Sequence, residues 1–157
     1  MAKTTKKTKA KKPTLQNRKA RFRFEFLETI ECGIVLRGTE VKSIRTGGGS
    51  LEEAFAHLQG AEIWLRGFHI PPYEHGSVRN HEPLRPKKLL LHKREVLKLK
   101  PKLIQQGLTL IPANLYFNDR GIAKLTLALA RGKTHSDKRQ DLKKRDDKRE
   151  MDRAMKR

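Results

Sequence analysis

The sequence predicts a mainly β fold with short helices, in which about six strands form a small closed barrel. Three observations predict this fold. Apolar residues between Phe22 and Ala130 alternate mostly with a period of two, as in half-buried strands. Turn residues separate the alternating runs, and one helical stretch interrupts the later ones. Small barrels built in this way include the OB type, so we expect an OB-like closed β-barrel.

Charge and apolar content divide the 157 residues into three parts. Residues 1–21 contain nine basic and no acidic residues, which predicts a disordered basic arm. Residues 22–130 contain all six Phe, both Tyr and the single Trp, and they are predicted to form the folded domain. Residues 131–157 carry charges of both signs and few large apolar residues, so they are predicted to form a separate C-terminal tail.

Two runs of alternating apolar residues predict the first strands: Phe22, Phe24 and Phe26, and then Ile30, Cys32, Ile34 and Leu36. In the second run Cys32 faces inward, which makes it a small core residue. Glu31 then lies on the outward face. A carboxylate there is either one half of a surface ion pair or an acceptor for the amino groups of nucleic-acid bases.

A short helix, a hairpin and a long loop are predicted next. The helix spans residues 38–47, with Thr39 as its N-cap and Glu40 in its first turn. Residues 50–58 fit a capped helix or a strand, and the glycine turn after them favours a strand in a hairpin. His69–Lys88 has four of the seven prolines and no periodicity, which predicts a loop long enough to suggest a function.

The later elements are a helix and two strands. Apolar spacing from Leu89 to Ile104 predicts the helix, with a break or kink at Pro101 and an end at Gly107. Two strands and their hairpin turn follow: Leu108–Phe117, Asn118–Gly121 and Ile122–Ala130. Pro112 cannot donate a hydrogen bond to a neighbouring strand, so it predicts a sheet edge or a bulge.

The formal charge of +20 indicates a polyanionic partner, because a compact domain with this excess repels itself. Nucleic acid is favoured over a membrane, since no apolar run approaches the roughly 20 residues of a spanning helix. No apolar segment follows the basic start, so no signal peptide is predicted and a cytoplasmic location is expected. The single cysteine excludes an internal disulfide and a cysteine-based zinc cluster.

Other motifs predict no catalytic or metal site, and neither an enzyme nor a cofactor is expected. Residues 47–50 lack the Lys that follows the glycines of a phosphate-binding loop, so they are a connector. The carboxylates are too scattered for a metal-dependent nuclease. The spacing of His69, His75 and His81 matches no zinc site. His75, His81 and His92 are instead candidates for stacking on or hydrogen bonding to unpaired bases.

Charged pairs at helical spacing characterise the tail, for example Asp141–Arg145 and Asp146–Arg149. Thr134 or Ser136 is the expected N-cap, with Asp137 in the first turn. No apolar face accompanies these charges. The composition therefore fits two interpretations equally, an exposed permanent helix and a segment that becomes helical only when RNA supplies the counter-charge.

Seven ordered blocks of the sequence resemble the tmRNA-binding protein family, also known as the SsrA-binding or small protein B family. They span nearly the whole chain after Gln16: Asn17–Arg21, Gly33–Leu36, Gly38–Arg45, His69–Tyr73, Leu84–Glu95, Gly107–Leu110 and Asp137–Arg139. Two stretches depart from the family pattern. Phe22-Arg23-Phe24 stands where the family commonly has a polar or acidic residue before an aromatic one, and Gln140 stands in place of an acid or Ser.

This resemblance implies an OB-like barrel that binds the tRNA-like domain of tmRNA and delivers it to stalled ribosomes in trans-translation, for ribosome rescue and peptide tagging. It implies a bacterial cytoplasmic monomer without catalytic activity or cofactor. The implied partners are tmRNA, the stalled 70S ribosome with 16S rRNA at its decoding centre and, indirectly, alanylated tmRNA with elongation factor Tu. A ribosomal protein or general RNA chaperone is the alternative function.

The resemblance also implies two sets of site residues. The RNA-binding set is Asn17, Arg21, Glu31, Lys42, Arg45, Leu91, His92, Lys93 and Lys124. The tail set, expected to become helical in the empty decoding centre and mRNA channel, includes Gly132, Lys133, His135, Asp137, Lys138 and Arg139. Strand alternation agrees for Glu31 and for Lys124, which faces away from its apolar neighbours. Together with the family pattern, this favours Glu31 as an acceptor for bases.

Overall fold

The computed structural model of the protein describes residues 15–156. Seven strands and four helices follow one another in this part of the chain. The strands are β1 (Leu15–Gln16), β2 (Phe24–Ile34), β3 (Phe55–Gln59), β4 (Glu62–Arg66), β5 (Lys87–Leu90), β6 (Thr109–Phe117) and β7 (Ala123–Gly132). The helices are α1 (Ala20–Arg23), α2 (Gly38–Arg45), α3 (Lys93–Gln105) and α4 (His135–Met155).

Six of the strands close into a barrel through antiparallel pairing. The neighbours follow the order β1, β6, β3, β4, β5, β2, β7, and β7 also pairs with β6, which closes the ring. The short strand β1 lies outside the ring and pairs with β6. Closure satisfies backbone groups that an open sheet leaves unpaired at its edges. The predicted OB-like closed barrel is therefore confirmed.

Aliphatic side chains fill the barrel and anchor two helices to it. The fully buried strand residues include Ile63, Leu65, Leu110, Leu115, Leu125 and Leu127. Ile44 of α2 and Leu99 of α3 are buried in the same core. Because one apolar face of each helix is held by the core, the polar residues of the other face are presented to solvent in a defined direction.

Several local predictions are confirmed. Cys32 is buried and Glu31 is exposed, as the alternation in β2 requires. Burial raises the pKa of the Cys32 thiol to about 12, which keeps it protonated and unreactive. β3 and β4 form a hairpin with Gly60 at a φ of +64° in its turn. A bulge lies between Pro112 and Asn114 of β6, because a residue without an N–H cannot complete the ladder.

The described fold starts well before Phe22, the first residue of the predicted folded domain. Phe22 itself lies in α1 and not in a strand, and β1 precedes it on the barrel. The prediction of disorder is therefore wrong for residues 15–21. Their hydrogen bonds to distant parts of the chain, above all those of Asn17, offset the entropy lost on ordering. The rest of the predicted arm, residues 1–14, lies outside the described residues.

The predicted helix from Leu89 begins later than its apolar spacing indicates. Leu89 lies in β5, where it pairs with Ile34 of β2 and Ile63 of β4. The helix α3 starts only at Lys93. This part of the prediction is wrong because a short buried apolar run looks the same in a helix and in a strand.

Two details of helix geometry also differ from the prediction. The helix α3 runs through Pro101 without a break, because burial of Leu99 in the core offsets the loss of one backbone hydrogen bond. The N-cap of α2 is Arg37 and not Thr39. The carboxylate of Glu40 accepts a hydrogen bond from the Arg37 N–H at 2.7 Å, which satisfies a donor at the start of the helix.

A long loop between β4 and β5 packs against α2. Residues 70–86 contain no helix or strand, whereas Lys87 and Lys88, the last residues of the predicted loop, belong to β5. His81 of this loop is buried, with one ring nitrogen 2.9 Å from the hydroxyl of Thr39 and the other 3.1 Å from the carbonyl oxygen of Ile70. The loop is therefore held in place by side chains and not by a sheet.

A buried ionic cluster joins the end of this loop to α2 and β5. The Glu40 carboxylate is fully buried, accepts a hydrogen bond from Arg85 at 2.8 Å and lies 3.8 Å from the Lys87 ammonium. Lys87 is also fully buried and donates to the carbonyls of Phe68 and Arg85. Burial alone would raise the pKa of Glu40, but hydrogen bonds from Arg85 and from the Arg37 backbone hold it below its usual value. Burial lowers the pKa of Lys87 to about 8, although Glu40 opposes this shift.

The C-terminal helix α4 extends from the end of β7 and contains no buried residue. Contacts of Lys133, just before the helix, and of Arg145, at its middle, tie it to α1. The Lys133 ammonium donates to the Asp141 carboxylate and to the carbonyl of Arg21, at 2.5 and 2.8 Å. The Arg145 guanidinium lies 5.7 Å from the centre of the Phe22 ring. Among residues 15–156, no helix is long and apolar enough to cross a membrane.

Candidate nucleic-acid interface

The outer surface of β2, β7 and β6 presents four polar side chains that together are named the Glu31 face: Glu31, Thr126, Lys124 and Tyr116. The register places Glu31 opposite Thr126 and Tyr116 opposite Lys124. Strand pairing brings the four together although Glu31 precedes the others by more than eighty positions in the chain. A carboxylate, an ammonium and a phenol therefore lie on adjacent strands.

The carboxylate of Glu31 is held by a hydrogen bond within this face. The Tyr116 hydroxyl donates to Glu31 Oε2 at 2.5 Å. This hydrogen bond raises the pKa of Tyr116 to about 12, so the phenol keeps its proton at neutral pH. One carboxylate oxygen is thereby oriented by Tyr116, and an ionised carboxylate has further acceptor sites for the N–H groups of a ligand.

The junction between β5 and α3 lies beside the same strand. Leu90 of β5 pairs with Gly33 of β2, so the residues that follow Leu90 adjoin the strand of Glu31. Those residues are the three predicted contacts Leu91, His92 and Lys93. His92 and Lys93 are exposed, and Leu91 is half-buried against the core. His92 is also the N-cap of α3, and its N–H donates to Glu95 at 2.8 Å.

The exposed face of α2 carries Lys42 and Arg45, two further residues of the predicted set. The Arg45 guanidinium lies 4.9 Å from the centre of the Phe117 ring and donates to the carbonyl of Gly121 at 3.3 Å. It therefore reaches the hairpin between β6 and β7. The Lys42 ammonium lies 5.7 Å from the centre of the Tyr73 ring, in the long loop. The helix thus links the hairpin to the loop through two basic side chains.

Asn17 does not face solvent, which corrects its prediction as a residue that touches RNA. Its side chain is only 4% exposed. The amide nitrogen donates to the carbonyls of Leu51 and Pro112, and the amide oxygen accepts from the N–H of Ala20. All these partners belong to the chain itself. The hydrogen bonds fasten the short turn after β1 to the barrel. Arg21 is exposed nearby, with its guanidinium 5.8 Å from the centre of the Phe26 ring.

The histidines have different environments. The candidate role of His81 in base contacts is wrong, because its ring is buried and both nitrogens have partners within the chain. His75 and His92 are exposed and remain available for such contacts. Within residues 15–156, no three His, Cys, Asp or Glu side chains are grouped so that they could hold a metal ion.

The predicted tail set spans the connection from β7 to α4. Gly132 still pairs with Phe24 of β2, and the N–H of Lys133 donates to the carbonyl of Arg23. The helix then starts at His135 with Thr134 as its N-cap, one of the two predicted capping residues. The exposed members of this set at the start of α4 are His135, Asp137 and Arg139, with Lys138 partly exposed.

The cap of α4 is reciprocal. The Thr134 hydroxyl accepts a hydrogen bond from the Asp137 N–H at 3.3 Å, and the Asp137 carboxylate accepts from the Thr134 N–H at 3.1 Å. Hydrogen bonds from the hydroxyl and backbone of Thr134 hold the pKa of Asp137 below its usual value. The hydrogen bond from Lys133 likewise lowers the pKa of Asp141. The predicted position of Asp137 in the first turn is confirmed.

Sequence reasoning missed Tyr116 as a member of the Glu31 face. The bulge after Pro112 changes which residues of β6 point outward, so simple alternation from the start of this strand does not identify Tyr116. A signal was nevertheless present. Counting back from the hairpin turn pairs Tyr116 with Lys124, and the outward position of Lys124 is evident from its apolar neighbours.

Comparison with known proteins gives one consistent result. The sequence model described as "SmpB protein" matches residues 14–157. The SsrA-binding protein of Thermosynechococcus vestitus is 57% identical over 142 residues, which cover 90% of this chain and 93% of that protein. The SsrA-binding protein of Saccharopolyspora erythraea is 54% identical over 149 residues, covering 95% of this chain and 94% of that protein.

A solved structure agrees with these relatives. It is described as "tmRNA-SmpB: a journey to the center of the bacterial ribosome" and is 51% identical to this chain in sequence. The two structures superpose with a TM-score of 0.65 over 77% of this chain and 85% of the other. The agreement of sequence, fold and extent of coverage leads to one conclusion: this chain belongs to the SmpB protein family.

Proposed function

We propose that this protein is a tmRNA-binding factor of trans-translation. It binds the tRNA-like domain of tmRNA through its barrel and delivers tmRNA to stalled ribosomes for rescue and peptide tagging. Its C-terminal tail occupies the empty decoding centre and mRNA channel. The work of the chain is binding and delivery in the bacterial cytoplasm, with no catalytic step of its own.

The observation that carries this proposal is the Glu31 face in a chain of the SmpB family. An RNA loop exposes base edges with amino groups, and a carboxylate oriented by Tyr116 accepts their hydrogen bonds. Lys124 on the adjacent strand contacts a phosphate, which fixes the position of the RNA on the face. An exposed carboxylate at the centre of such a surface weakens binding to a generic polyanion, because the carboxylate repels phosphate.

The neighbouring residues extend this contact. Lys93 and Lys42 supply charge to phosphates, Arg45 does so from the hairpin side, and His92 can stack on or bond to an unpaired base. Leu91 offers apolar surface between them. Asn17 supports the interface indirectly, since its internal hydrogen bonds hold α1 and the exposed Arg21 against the barrel.

The tail acts on the ribosome as a second RNA-binding element. Its first turns carry His135, Lys138 and Arg139 on a capped helix, and most of the charged side chains of α4 are exposed. Such a helix can be surrounded by rRNA on all sides without burying an unpaired apolar face. The elongation factor Tu complex with alanylated tmRNA is an indirect partner, bound through tmRNA.

Capture of RNA from a bacterial lysate tests the proposal. The full chain, carrying an affinity tag, is expected to enrich tmRNA far above its share of total RNA. Uniform recovery of ribosomal RNA would instead support the alternative, a ribosomal protein or general RNA chaperone. A variant with Glu31→Gln and Lys124→Gln is the control: it should lose the enrichment of tmRNA while keeping non-specific RNA, since most of the positive charge is intact.

A further inference from the structure

A cleft between the C-terminal end of α2 and the long loop lies outside the Glu31 face. Its volume is about 520 Å³. The walls come from the end of α2 with the glycine turn after it, and from the loop: Ser43, Thr46, Gly47, Gly48, Pro71, Pro72, Tyr73, Glu74 and His75. This space, named the Tyr73 cleft, falls within the size range of small-molecule sites and is large enough for a single nucleotide.

The position of Tyr73 in the cleft is strongly determined. The side-chain amide of Asn80 accepts a hydrogen bond from the Tyr73 N–H at 3.2 Å and donates to the Tyr73 carbonyl at 2.8 Å. The same amide nitrogen donates to the carbonyl oxygen of Gly76 at 3.0 Å. On the other side of the cleft, the Ser43 hydroxyl donates to the Pro71 carbonyl at 2.7 Å. A loop without helix or strand is thus preorganised around one half-buried aromatic ring.

The groups around this ring suit a nucleotide. The His75 ring meets the Tyr73 ring edge-on, with 5.5 Å between centres and an angle of 74°. The Lys42 ammonium lies 5.7 Å from the centre of the Tyr73 ring. An aromatic ring with a nearby cation is the arrangement that proteins use to stack an unpaired base and hold its phosphate. The C-terminal end of α2 carries partial negative charge, which favours the amino groups of a base edge.

The cleft also continues the surface proposed for tmRNA. Lys42 and Arg45 lie three positions apart on the exposed side of α2. Arg45 contacts the hairpin after Tyr116, and Lys42 contacts Tyr73. A strand of RNA that leaves the Glu31 face past the hairpin therefore meets Arg45 and then Lys42 before it reaches the cleft.

We propose that the Tyr73 cleft binds one unpaired nucleotide of tmRNA, with its base stacked on the Tyr73 ring and its phosphate on Lys42. In the absence of RNA, Lys42 covers the ring, and the base replaces it when RNA binds. His75 contacts the edge of the base. This inference rests on the proposed tmRNA-binding function and adds a second point of base recognition to it.

The affinity of full-length variants for tmRNA tests this cleft. Tyr73→Leu is expected to weaken tmRNA binding by about tenfold, since it removes the stacking surface. Tyr73→Phe keeps the ring and is expected to bind as the wild type does. Phe55→Leu is the matched control, because Phe55 is an exposed aromatic residue on β3, outside both surfaces. Far-UV circular dichroism and urea unfolding check that each variant is folded.

A second measurement observes stacking directly and does not depend on a variant that folds. The chain has two tyrosines, so selective labelling of tyrosine rings gives separate NMR signals for Tyr73 and Tyr116. Addition of short single-stranded oligoadenosine is expected to shift the Tyr73 ring signals upfield, as base stacking requires. Unshifted Tyr73 signals together with equal tmRNA affinity of the wild type and Tyr73→Leu would overturn the inference. Equal losses in the leucine and phenylalanine variants would overturn it as well, whereas failure of the wild type to bind tmRNA would overturn the proposed function instead.

Discussion

Glu31 shows how one residue gains a role from its neighbours. In a chain with a formal charge of +20, an exposed carboxylate would usually pair with a lysine. Here its hydrogen bond comes from the neutral phenol of Tyr116, at 2.5 Å. A phenol with a pKa near 12 orients the carboxylate without neutralising its charge. We propose that the carboxylate oriented in this way accepts hydrogen bonds from base amino groups.

We predict that Glu31→Gln weakens tmRNA binding by about tenfold, because a charged acceptor contributes more than a neutral one to a hydrogen bond. Binding of duplex RNA should change little, since its base edges are not accessible to this side chain. Titration of labelled tmRNA and of labelled duplex RNA with the protein measures the two affinities. Glu28→Gln on the same strand is the control, because Glu28 pairs with Lys102 of α3. Equal effects of Glu31→Gln on both RNAs would contradict the base-acceptor role.

Glu40 has a structural role that depends on two buried or partly buried cations. Its carboxylate is fully buried beside Arg85 and Lys87. The hydrogen bonds of Arg85 and of the Arg37 N–H keep it ionised although it is removed from water. Since a buried charge without its partner is costly, the stability of the loop and of α2 depends on this carboxylate.

We predict that Glu40→Ala lowers the free energy of unfolding by about 3–5 kcal/mol, because it leaves Lys87 buried without its counter-charge. Urea denaturation followed by Trp64 fluorescence measures this change. Glu62→Ala is the matched control: Glu62 pairs with Lys88 at the surface, and its removal should leave the unfolding midpoint near that of the wild type. Similar midpoints for the two variants would show that the cluster is not a major source of stability.

At the scale of secondary structure, α4 is stabilised by its ends and its charges and not by burial. It has 21 residues and none of them is buried. The reciprocal cap of Thr134 and Asp137 and the ion pair of Lys133 with Asp141 lie in its first turns. Contacts with α1 come from Lys133, just before the helix, and from Arg145, at its middle. The N-terminal turns of α4 are therefore more strongly supported than its C-terminal turns.

The α4 cap predicts a pH dependence. The pKa values of Asp137 and Asp141 are depressed in the folded chain. A carboxyl with a depressed pKa stabilises the folded state above its ordinary pKa of 3.8, and this contribution is lost as the pH falls through the lower, folded pKa. Helical carbon chemical shifts of residues 135–141 should therefore decrease on acidification below pH 3.8.

Trp64 fluorescence, followed in the same acid titration, reports unfolding of the barrel. It therefore distinguishes such unfolding from a loss of helix at the start of α4. Asp137→Asn should show reduced helical shifts already at neutral pH, because an amide is a weaker acceptor at a helix N-terminus. Asp152→Asn, near the other end of α4, is the control and should behave as the wild type does. Unchanged shifts in Asp137→Asn would show that the cap does not support the helix.

At the scale of the whole molecule, we propose that the barrel and the tail have different functions. The boundary between them lies after Lys133, because Gly132 still pairs with β2 and the N–H of Lys133 bonds to Arg23. The amino-acid composition predicts that the folded domain ends at Ala130. Truncation after Ala130 would remove Arg131 and Gly132, the last residues of β7. The structure thus shows where the two parts can be separated without loss of strand pairing.

We predict that truncation after Lys133 leaves tmRNA affinity nearly unchanged and abolishes peptide tagging on stalled ribosomes. The barrel keeps its whole face, whereas the helix proposed for the mRNA channel is absent. Titration with tmRNA and a reconstituted tagging reaction measure the two properties. Loss of tmRNA affinity in the truncated chain would contradict this division of work.

The affinity of the barrel for tmRNA should also depend strongly on salt. About 5–8 basic residues in contact with phosphates give a slope of roughly −4 to −7 for the logarithm of the binding constant against that of the salt concentration. Lys124→Gln should reduce the magnitude of the slope by about one, since it removes one phosphate contact. A slope near zero would exclude phosphate contacts as the main source of affinity.

Much of the fold was predictable from local patterns. Alternation located the outward Glu31 and the buried Cys32, glycine turns located the hairpins, and charge separated the tail from the barrel. These features depend on residues a few positions apart, whose spacing directly reflects the geometry of a strand or a turn. Some of the site residues taken from the family resemblance share a strand or a helix face. These residues lie close together because their spacing in the sequence reflects the geometry of that element.

Other features depended on contacts between residues far apart in the chain. The order of the strands, the place of Leu89 in β5 and the burial of Asn17 all require partners from distant segments. The same holds for the contact of Tyr116 with Glu31 and for the burial of Lys87. A lysine becomes a buried residue only when the fold brings it a carboxylate and backbone carbonyls, and local spacing contains no information about those partners.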